Sequence, residues 1–345
     1  MVFISVAARL LINVEALNMV ESIGNVTRHR RVTLIVRTPE GKLVKVEVPA
    51  ISGETLAHAY QANLVRVAKL VYNSDKPLYA GGKLPVCEYC LREEFIKSAD
   101  QAHTIPPLKN IPDATKFEEN IIKYCLVEDI GGFLRAERPP SRRTSRFFVG
   151  YMVPTFDSLR FSSLESQFHA RHIPSEALKQ QQRAAQMIYY IEVGSALYNF
   201  LFHLDVDGIG TTSLESIRRV IDQDEFERRV KVALGALQLL LVGEQFGAKR
   251  TRFLPIIEIE SLLCSISDPL PFTLVPAISS DFMNLTIKKK NAYIESLRKV
   301  GINEDIILLG FSKEFSVPDG IQAFDNPYDL LKKVTEIVLE KIKKR

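Results

Sequence analysis

The chain has 345 residues, of which 46% are apolar and 25% are charged, a composition typical of globular proteins and unlike that of disordered or fibrous ones. This length is enough for one large domain with insertions or for two domains of ordinary size. The net charge of +4 is too small to indicate a uniformly basic surface, so a polyanion-binding site would have to come from local clusters.

The N-terminal residues 1–14 are apolar but interrupted by Arg9 and Asn13. They carry neither a basic leader nor a small-residue cleavage site, so they predict a buried strand and not a signal peptide. No stretch approaches the roughly 20 apolar residues that span a bilayer. Four cysteines in a chain of this length do not form a disulfide framework. We therefore expect a cytoplasmic protein without a membrane partner.

Apolar periodicity predicts a strand, a hairpin and a helix in the first 72 residues. Residues 2–14 predict the strand, and alternation over 32–36 and 44–48 around a Pro-Glu-Gly-Lys turn predicts the hairpin. Ser52 is a candidate N-cap for a helix that reaches about residue 72.

Two irregular stretches follow. Residues 73–128 carry proline and glycine between short helical segments near 91–99 and 114–127, which indicates an insertion. Residues 136–183 carry an Arg/Pro-rich segment and a glutamine run, with a strand candidate at 146–153.

Regular structure is predicted again in the second half of the chain. Strands are predicted at 187–204 and 253–266, and amphipathic helices at 224–241 and 326–343. No internal repeat of about 20–50 residues is found. Strands and helices that alternate around inserted loops predict an α+β fold with an antiparallel sheet.

The Arg/Pro-rich segment is the strongest local signal for a ligand. Its arginines surround Pro139 and Pro140, hydroxyl side chains lie between them, and Glu137 is the opposing charge. Guanidinium and hydroxyl groups bind phosphate oxygens, and such binding weakens steeply with salt. A solvated surface loop is the alternative. The five arginines are Arg135, Arg138, Arg142, Arg143 and Arg146.

Two glycine-containing segments are further candidates. The run Gly-Ala-Lys-Arg-Thr-Arg-Phe from Gly247 to Phe253 places three cations beside a glycine that lets the backbone approach a ligand. An ordinary helix C-terminus, with cations that favour the helix dipole, explains this run equally well. Ser52 and Gly53 could present backbone N–H groups to a phosphate, but helix capping alone explains them and is the favoured interpretation.

The cysteines allow a metal hypothesis. Cys87 and Cys90 form a C-x-x-C motif, and His103 and Cys125 follow downstream; together they can be interpreted as a structural zinc set. The spacing to the last two residues is not diagnostic, so free buried thiols are the favoured alternative. Cys264, in a predicted strand, is expected in the core. We expect no required cofactor.

Evidence for catalysis is poor. His169 and His172 occur in Gln-Phe-His-Ala-Arg-His without a nucleophile pattern, paired carboxylates or an H-E-x-x-H motif. Neither a P-loop nor a dinucleotide-binding fingerprint is present. A histidine between Phe168 and Arg171 more often stacks on or hydrogen-bonds to a base or phosphate, or simply packs.

Several sequence blocks, taken together, resemble a known family. Their order and their coverage of most of the chain outside 73–113 are those of the archaeal type I-A CRISPR Cascade backbone subunit, a DevR-family autoregulator-like branch of the RAMP superfamily. The blocks are Asn18-x-x-Glu21-Ser22-x-Gly24-Asn25, Ile51-Ser52-Gly53-Glu54-x-x-Ala57-His58-Ala59-Tyr60-Gln61-Ala62, Asp129-x-Gly131-Gly132-Phe133, Arg142-Arg143-Thr144-Ser145-Arg146, Gln167-Phe168-His169-x-Arg171 and Lys249-Arg250-x-Arg252-Phe253-Leu254-Pro255.

The resemblance implies a modified RRM-like, ferredoxin-like antiparallel sheet, the palm, with helical finger and thumb insertions. On this chain the palm would comprise 1–72, 129–149 and 184–345, the fingers 73–128 and the thumb 150–183. Copies of the protein would stack along the CRISPR RNA backbone and present its bases for pairing with target DNA. The other partners would be a related end-capping subunit, a small subunit, and an effector helicase and nuclease.

The resemblance and the basic clusters together give a set of candidate RNA contacts. A subunit that accepts any guide sequence should bind phosphate and sugar and leave base edges free, so arginine clusters without a base-reading module are expected. The predicted RNA-binding residues are Asn18, Ser22, Asn25, Arg28, Ser52, Gly53, His58, Arg142, Arg143, Ser145, Arg146, His169, Arg171, Lys249, Arg250 and Arg252.

Two departures from the family pattern matter. The C-x-x-C insertion is not part of that pattern. RNA-cleaving siblings in type III complexes use an aspartate in an early loop, where this chain offers Asn18 and Glu21, so we predict no enzymatic activity. A metal-dependent or histidine-based endoribonuclease, with His58 or His169 as acid/base, is the alternative. A DNA-binding regulator would need a helix-turn-helix, which the sequence does not indicate.

Overall fold

The computed structural model describes residues 1–95, 104–136, 140–172 and 186–344, with the backbone alone at 171–172 and 186–187. The strands are β1 (Phe3–Glu15), β2 (Met19–Ile23), β3 (Val26–His29), β4 (Arg31–Arg37), β5 (Leu43–Pro49), β6 (Phe133–Arg135), β7 (Ser141–Arg143), β8 (Phe147–Val149), β9 (Val153–Pro154), β10 (Ser163–His172), β11 (Gln186–Asp205), β12 (Ile256–Asp268), β13 (Asp305–Ser312) and β14 (Gln322–Ala323).

The helices include three long ones that pack on the larger core and a fourth on the opposite side of the sheet. Short 3₁₀ turns lie at Leu78–Ala80, Pro106–Leu108 and Leu159–Phe161. The α-helices of the described residues are α1 (Gly53–Tyr72), α2 (Glu88–Leu91), α3 (Ala114–Tyr124), α4 (Leu126–Gly131), α5 (Gln223–Leu241), α6 (Phe282–Lys299) and α7 (Pro327–Lys343).

A ten-stranded, mostly antiparallel sheet organises the α+β fold. Its main path runs β14-β13-β12-β1-β11-β3-β2, and β8, β9 and β10 also pair with β11. Strand β1 lies between β11 and β12 and is antiparallel to both. Strands β4 and β5 form a separate hairpin, and β6 and β7 a separate pair.

Both faces of β1 are covered, which explains its nearly continuous apolar run. Ile4, Val6 and Leu10 point into the larger core beneath α1, α5 and α7. Ala7 points the other way, into a second core with Phe282 of α6, because successive side chains of a strand alternate between faces. A strand buried on both sides needs apolar residues at successive positions and not only at alternate ones.

Most of the predicted elements are confirmed. The first strand, the hairpin, the capped helix α1 and the elements β11, α5, β12 and α7 lie where the apolar patterns predicted them. Strand β13 and helix α6 were not predicted. In the described residues, no helix is both long and apolar enough to cross a membrane.

The predicted irregular stretch at 136–183 is wrong over its last described part. Residues 163–172 form β10, which pairs with the N-terminal half of β11 from Ser163↔Ser195 to His172↔Gln186. Strand β10 is mostly polar, so its alternation of apolar and polar residues is too weak to predict a strand. Its outward side chains face solvent and not a core. The glutamine run at 180–182 lies outside the described residues.

Candidate nucleic-acid interface

Two distant parts of the chain meet in an open cleft of about 650 Å³. The β2–β3 turn contributes Ser22 and Asn25, and the loop after α5 contributes Lys249 and Arg252. We call this the basic cleft. It unites four of the predicted RNA-binding residues, in two pairs that lie more than 200 positions apart in sequence.

The loop reaches this position because Gly247 packs against the segment after β1. Gly247 has a φ of +81°, and a Cβ at this residue would lie 2.6 Å from Cδ2 of Leu17. The backbone N–H of Ala248 donates a hydrogen bond of 2.9 Å to the Leu17 carbonyl. Glycine is required here both for the positive φ and for the close approach.

The opposite wall of the basic cleft is tied to the central sheet. The Tyr190 N–H donates to the Asn25 carbonyl at 2.7 Å, and β3 runs parallel to β11 at Val26 and Thr27. The turn that carries Ser22 and Asn25 is therefore held by the longest strand of the sheet.

Aromatic rings line the basic cleft beside the cations. Tyr189 and Phe253 both contact it. The His169 ring stacks on Tyr189 with centroids 5.3 Å apart and meets the edge of Phe253 at 5.6 Å. Such rings can stack on nucleobases in a sequence-tolerant manner.

The electrostatics of the basic cleft suit an anion. Of the described residues that line it, none carries a carboxylate. Partial burial lowers the pKa of Lys249 below the usual lysine value. Two cations, hydroxyl and amide groups and aromatic rings can together hold phosphate, sugar and base without reading a base edge.

Two predicted contact residues lie beneath the surface, which corrects the prediction for them. Asn18 is 7% exposed and Ser52 is 1% exposed. The Asn18 side-chain oxygen accepts bonds from the Ser52 N–H at 2.7 Å and from Nε of Arg30 at 3.0 Å, and Ser52 caps α1 through the Thr55 N–H. They are structural supports, as the capping interpretation of Ser52 predicted.

Close packing of the backbone explains why residue 53, Gly53, is a glycine. A Cβ at Gly53 would lie 2.9 Å from the Val149 carbonyl oxygen, so the start of α1 packs directly on the backbone after β8. This close approach explains a glycine here without any ligand.

The Arg/Pro-rich segment does not form one basic face. Arg142 is exposed on β7, and no hydrogen bond or ion pair of its side chain is found within the described ranges. Arg143, its neighbour, has a fully buried side chain, which corrects the prediction that it contacts RNA. Arg138 lies outside the described residues.

Arg143 belongs to a buried ion network. Its guanidinium pairs with Asp129 and with Glu118 and donates to the carbonyls of Thr211 at 2.5 Å and Gly208 at 2.9 Å. Arg229 binds the other oxygen of Asp129 at 2.8 Å. Buried charges require such pairing, so the Asp129 motif and Arg143 act together to stabilise the fold.

The predicted contact residues Ser145 and Arg146 are half-buried. The Ser145 hydroxyl donates to the Phe147 carbonyl at 2.7 Å. Arg146 lies 3.4 Å from Asp205, and its pKa is lowered by burial and by the nearby Arg143. Both side chains are therefore engaged within the protein.

Other predicted contacts lie outside the basic cleft. His58 and Arg250 line a second cleft, between α1 and the loop after α5, which also contains Glu54. Arg28 is exposed on β3, 3.8 Å from Glu21. The backbone of Arg171 lies on β10, and its side chain is outside what the structure describes.

The structure adds a residue that was not predicted to the set of candidate metal ligands. Cys87, Cys90 and Cys125 lie together in the core with Glu128, and their donor atoms are all within 4.8 Å of one another. We call these four residues the thiol cluster. His103, the fourth predicted ligand, lies outside the described residues.

The pKa values of the three thiols in the thiol cluster are shifted in different directions. Hydrogen bonding to Cys125 raises the pKa of both Cys87 and Cys90. Burial also opposes ionisation of Cys125, but hydrogen bonding with the Cys87 and Cys90 side chains holds its pKa well below the ordinary thiol value.

Sequence inspection missed Glu128, Tyr189 and Phe253. Glu128 stands three residues after Cys125, the spacing that separates Cys87 from Cys90, and this repeated interval is the signal that could have found it. Tyr189 lies in an apolar strand and carried no such signal, since only the pairing of β11 with β3 brings it to the basic cleft.

Comparison with known proteins finds relatives that are all described as CRISPR-associated. A family model described as CRISPR-associated negative auto-regulator DevR/Csa2 matches residues 6–287. The chain is 38% identical to the CRISPR-associated aCascade subunit Cas7/Csa2 2 of Saccharolobus solfataricus, over 96% of this chain and 99% of that protein. It is 26% identical to the CRISPR-associated protein Cas7/Cst2/DevR of Methanocaldococcus jannaschii, over 84% and 86%.

Chains of solved structures also have a fold similar to that of this chain. A chain of a CRISPR RNA-guided surveillance complex superposes with a TM-score of 0.52 at 12% identity, covering 97% of this chain and 99% of that chain. A chain of such a complex in a pre-nicking state superposes with a TM-score of 0.55, at the same identity and coverage.

Proposed function

This chain belongs to the CRISPR-associated DevR/Csa2 family, and from that premise we propose that it is a non-catalytic subunit that binds the backbone of CRISPR RNA. Copies of it stack along the guide RNA to form the core of a type I-A surveillance complex and present the bases for pairing with target DNA. An end-capping subunit, a small subunit, and an effector helicase and nuclease complete the proposed assembly.

The basic cleft is the observation that carries this proposal. It gathers phosphate-binding and sugar-binding groups from segments that are distant in sequence, next to rings that can stack on bases. Groups of this kind position a nucleic acid without specifying its sequence. A subunit that must accept every guide sequence needs that combination.

The ribbon formed by β10 and β11 supports the proposed thumb. Ten residue pairs extend it, from Ser163↔Ser195 to His172↔Gln186. Phe168 and Ile188 are 57% and 45% exposed on it. Exposed apolar side chains on such a ribbon suit insertion between stacked bases. The proposed fingers, residues 73–128, carry α2 and α3.

The proposed palm remains RRM-like in our assignment. Four strands, β13, β12, β1 and β11, lie side by side in an antiparallel arrangement, with α1, α5 and α7 on one face. Helices packed on one face of an antiparallel sheet are the expected feature of such a fold.

The proposal is tested by following assembly on RNA. The purified chain is run by size-exclusion chromatography with light scattering, alone and with ~40-nucleotide single-stranded RNAs of two unrelated sequences, across a salt series. We expect stepwise growth in mass on both RNAs, reversal by high salt and intact RNA on a gel. Failure to assemble on either RNA would refute the proposal.

Variants assign the binding to the basic cleft. Lys249→Ala with Arg252→Ala removes two cations, so the slope of log K against log salt should fall by about 1.4 for a single strand. Lys288→Ala with Arg298→Ala is the matched control, since both side chains are exposed on α6. An unchanged slope in the cleft variant would remove the basic cleft from the proposal.

The same experiment separates the alternative functions. Shortened RNA, with cleavage abolished by His169→Ala while binding survives, would identify an endoribonuclease. Preferential binding of duplex DNA in a parallel titration would instead favour a transcriptional regulator.

A further inference from the structure

We propose that the thiol cluster, Cys87, Cys90, Cys125 and Glu128, is a structural zinc site. This inference is independent of RNA binding. It replaces His103 by Glu128 in the ligand set that the sequence suggested.

The four residues come from two copies of one local arrangement. Cys87 immediately precedes α2, and Cys90 lies within it. Cys125 immediately precedes α4, and Glu128 lies within it. A ligand before a helical turn and a second ligand three residues later point to the same side of that turn. The two pairs face each other across the core.

Two of the distances between donor atoms match tetrahedral coordination, and all donor atoms lie within 4.8 Å of one another. The sulfurs of Cys90 and Cys125 lie 3.8 Å apart, and two thiolates ~2.3 Å from a tetrahedral zinc are about 3.8 Å apart. Cys87 Sγ lies 3.7 Å from Glu128 Oε1, where zinc with one sulfur and one oxygen ligand gives about 3.5 Å. Only small side-chain adjustments are needed to admit the ion.

Backbone groups support the sulfurs as they do in other thiolate sites. The Cys87 N–H points to Cys125 Sγ at 3.5 Å, and the Cys90 N–H points to Cys87 Sγ at 3.5 Å. Hydrogen bonds of this kind orient metal ligands and favour the charged form of a thiol.

Burial and donor type identify the metal and its role. All four side chains are buried, so the site is closed and leaves no open coordination position, as structural zinc sites do. Three sulfurs and one carboxylate in a tetrahedron suit zinc and exclude the oxygen-seeking Mg²⁺ and Ca²⁺. The ion would join two segments 38 residues apart and so contribute to folding.

Metal analysis of the wild-type chain is the first test. The protein is purified under reducing conditions, without a histidine tag, from cells grown with added zinc. We expect roughly one zinc per chain by mass spectrometry, and intense visible absorbance of tetrahedral cobalt with thiolate charge transfer when Co²⁺ replaces zinc. Less than about a tenth of an equivalent, with no such cobalt spectrum, would overturn the proposal.

Variants then define the ligands. Cys90→Ser and Glu128→Gln should each lose zinc to a competing chelator that leaves the wild type loaded, and should unfold at a lower temperature. Cys264→Ala, a change of the buried cysteine in β12, and His103→Ala should retain the metal. Retention by Glu128→Gln together with loss from His103→Ala would overturn the assigned ligand set.

Discussion

Arg142 and Arg143 are neighbours for which we predict opposite effects. Arg143→Ala removes a buried guanidinium that pairs with Asp129 and Glu118. Arg229 still binds Asp129, but Glu118 loses the cation that pairs with it and keeps the hydrogen bond from the Ser213 N–H. Removing one member of such a network costs about 3–5 kcal/mol.

This cost converts into a measurable shift in melting temperature. With an unfolding entropy of ~2.1 cal/mol/K per residue over 345 residues, it lowers Tm by about 4–7 °C. Arg142→Ala should leave the free energy of unfolding within about 0.5 kcal/mol, because the side chain is exposed. It should lower the salt slope of RNA binding by about 0.7, the loss of one phosphate contact.

The two variants are compared by calorimetry and by salt titration of RNA binding. For Arg143→Ala, the salt slope of the folded fraction should equal that of the wild type. If Arg143→Ala melted like the wild type but lost the salt dependence, the assignment of Arg143 to the buried network would be refuted. If Arg142→Ala melted several degrees lower, the assignment of Arg142 to the surface would fail.

Three further outcomes are expected. Ser52→Ala removes the N-cap of α1 and should lower the free energy of unfolding by about 1 kcal/mol in denaturant titration, with an unchanged salt slope. Gly247→Ala should weaken RNA binding because its Cβ would displace the loop of the basic cleft. The control Gly320→Ala is also at positive φ but has open space around it, so it should affect stability alone. Equal RNA affinities of the two variants would contradict this. Burial and the nearby Lys289 lower the pKa of His203 to about 4, so the unfolded chain binds a proton that the folded chain does not between the ordinary value of ~6.5 and 4. Stability should therefore fall as the pH is lowered through that window, and His203→Gln should flatten the dependence of Tm on pH.

Local patterns predicted most of the regular elements because their signals are contained in short stretches of chain. The hairpin at β4–β5 has its turn residues beside its alternating valines, and α1 has its cap beside its apolar stripe. Strand β10 gave too weak a signal, since among the described strands it pairs with β11 alone and most of its residues are polar. Helix α6 covers the second core, whose existence could not be inferred before the sheet was known to be buried on both faces.

The candidate site was predicted in composition but not in arrangement. The residue blocks pointed to Ser22, Asn25, Lys249 and Arg252 individually, and the structure unites them through the contact of Gly247 with Leu17. The same blocks included Asn18 and Ser52, which support the surface from beneath. The motifs therefore indicated which part of the chain forms the basic cleft. They did not distinguish the residues that line it from the residues buried beneath it.

The amino-acid sequence by itself determined the α+β class, the central strands and the family, because apolar periodicity and ordered motifs are properties of the chain. Only the tertiary structure decided which polar residues face solvent. Arg142 and Arg143 lie on opposite sides of the three-residue strand β7, and nothing within so short a strand indicates its buried side. That side is set by Glu118 and Asp129 on α3 and α4, whose buried carboxylates pair with the Arg143 guanidinium.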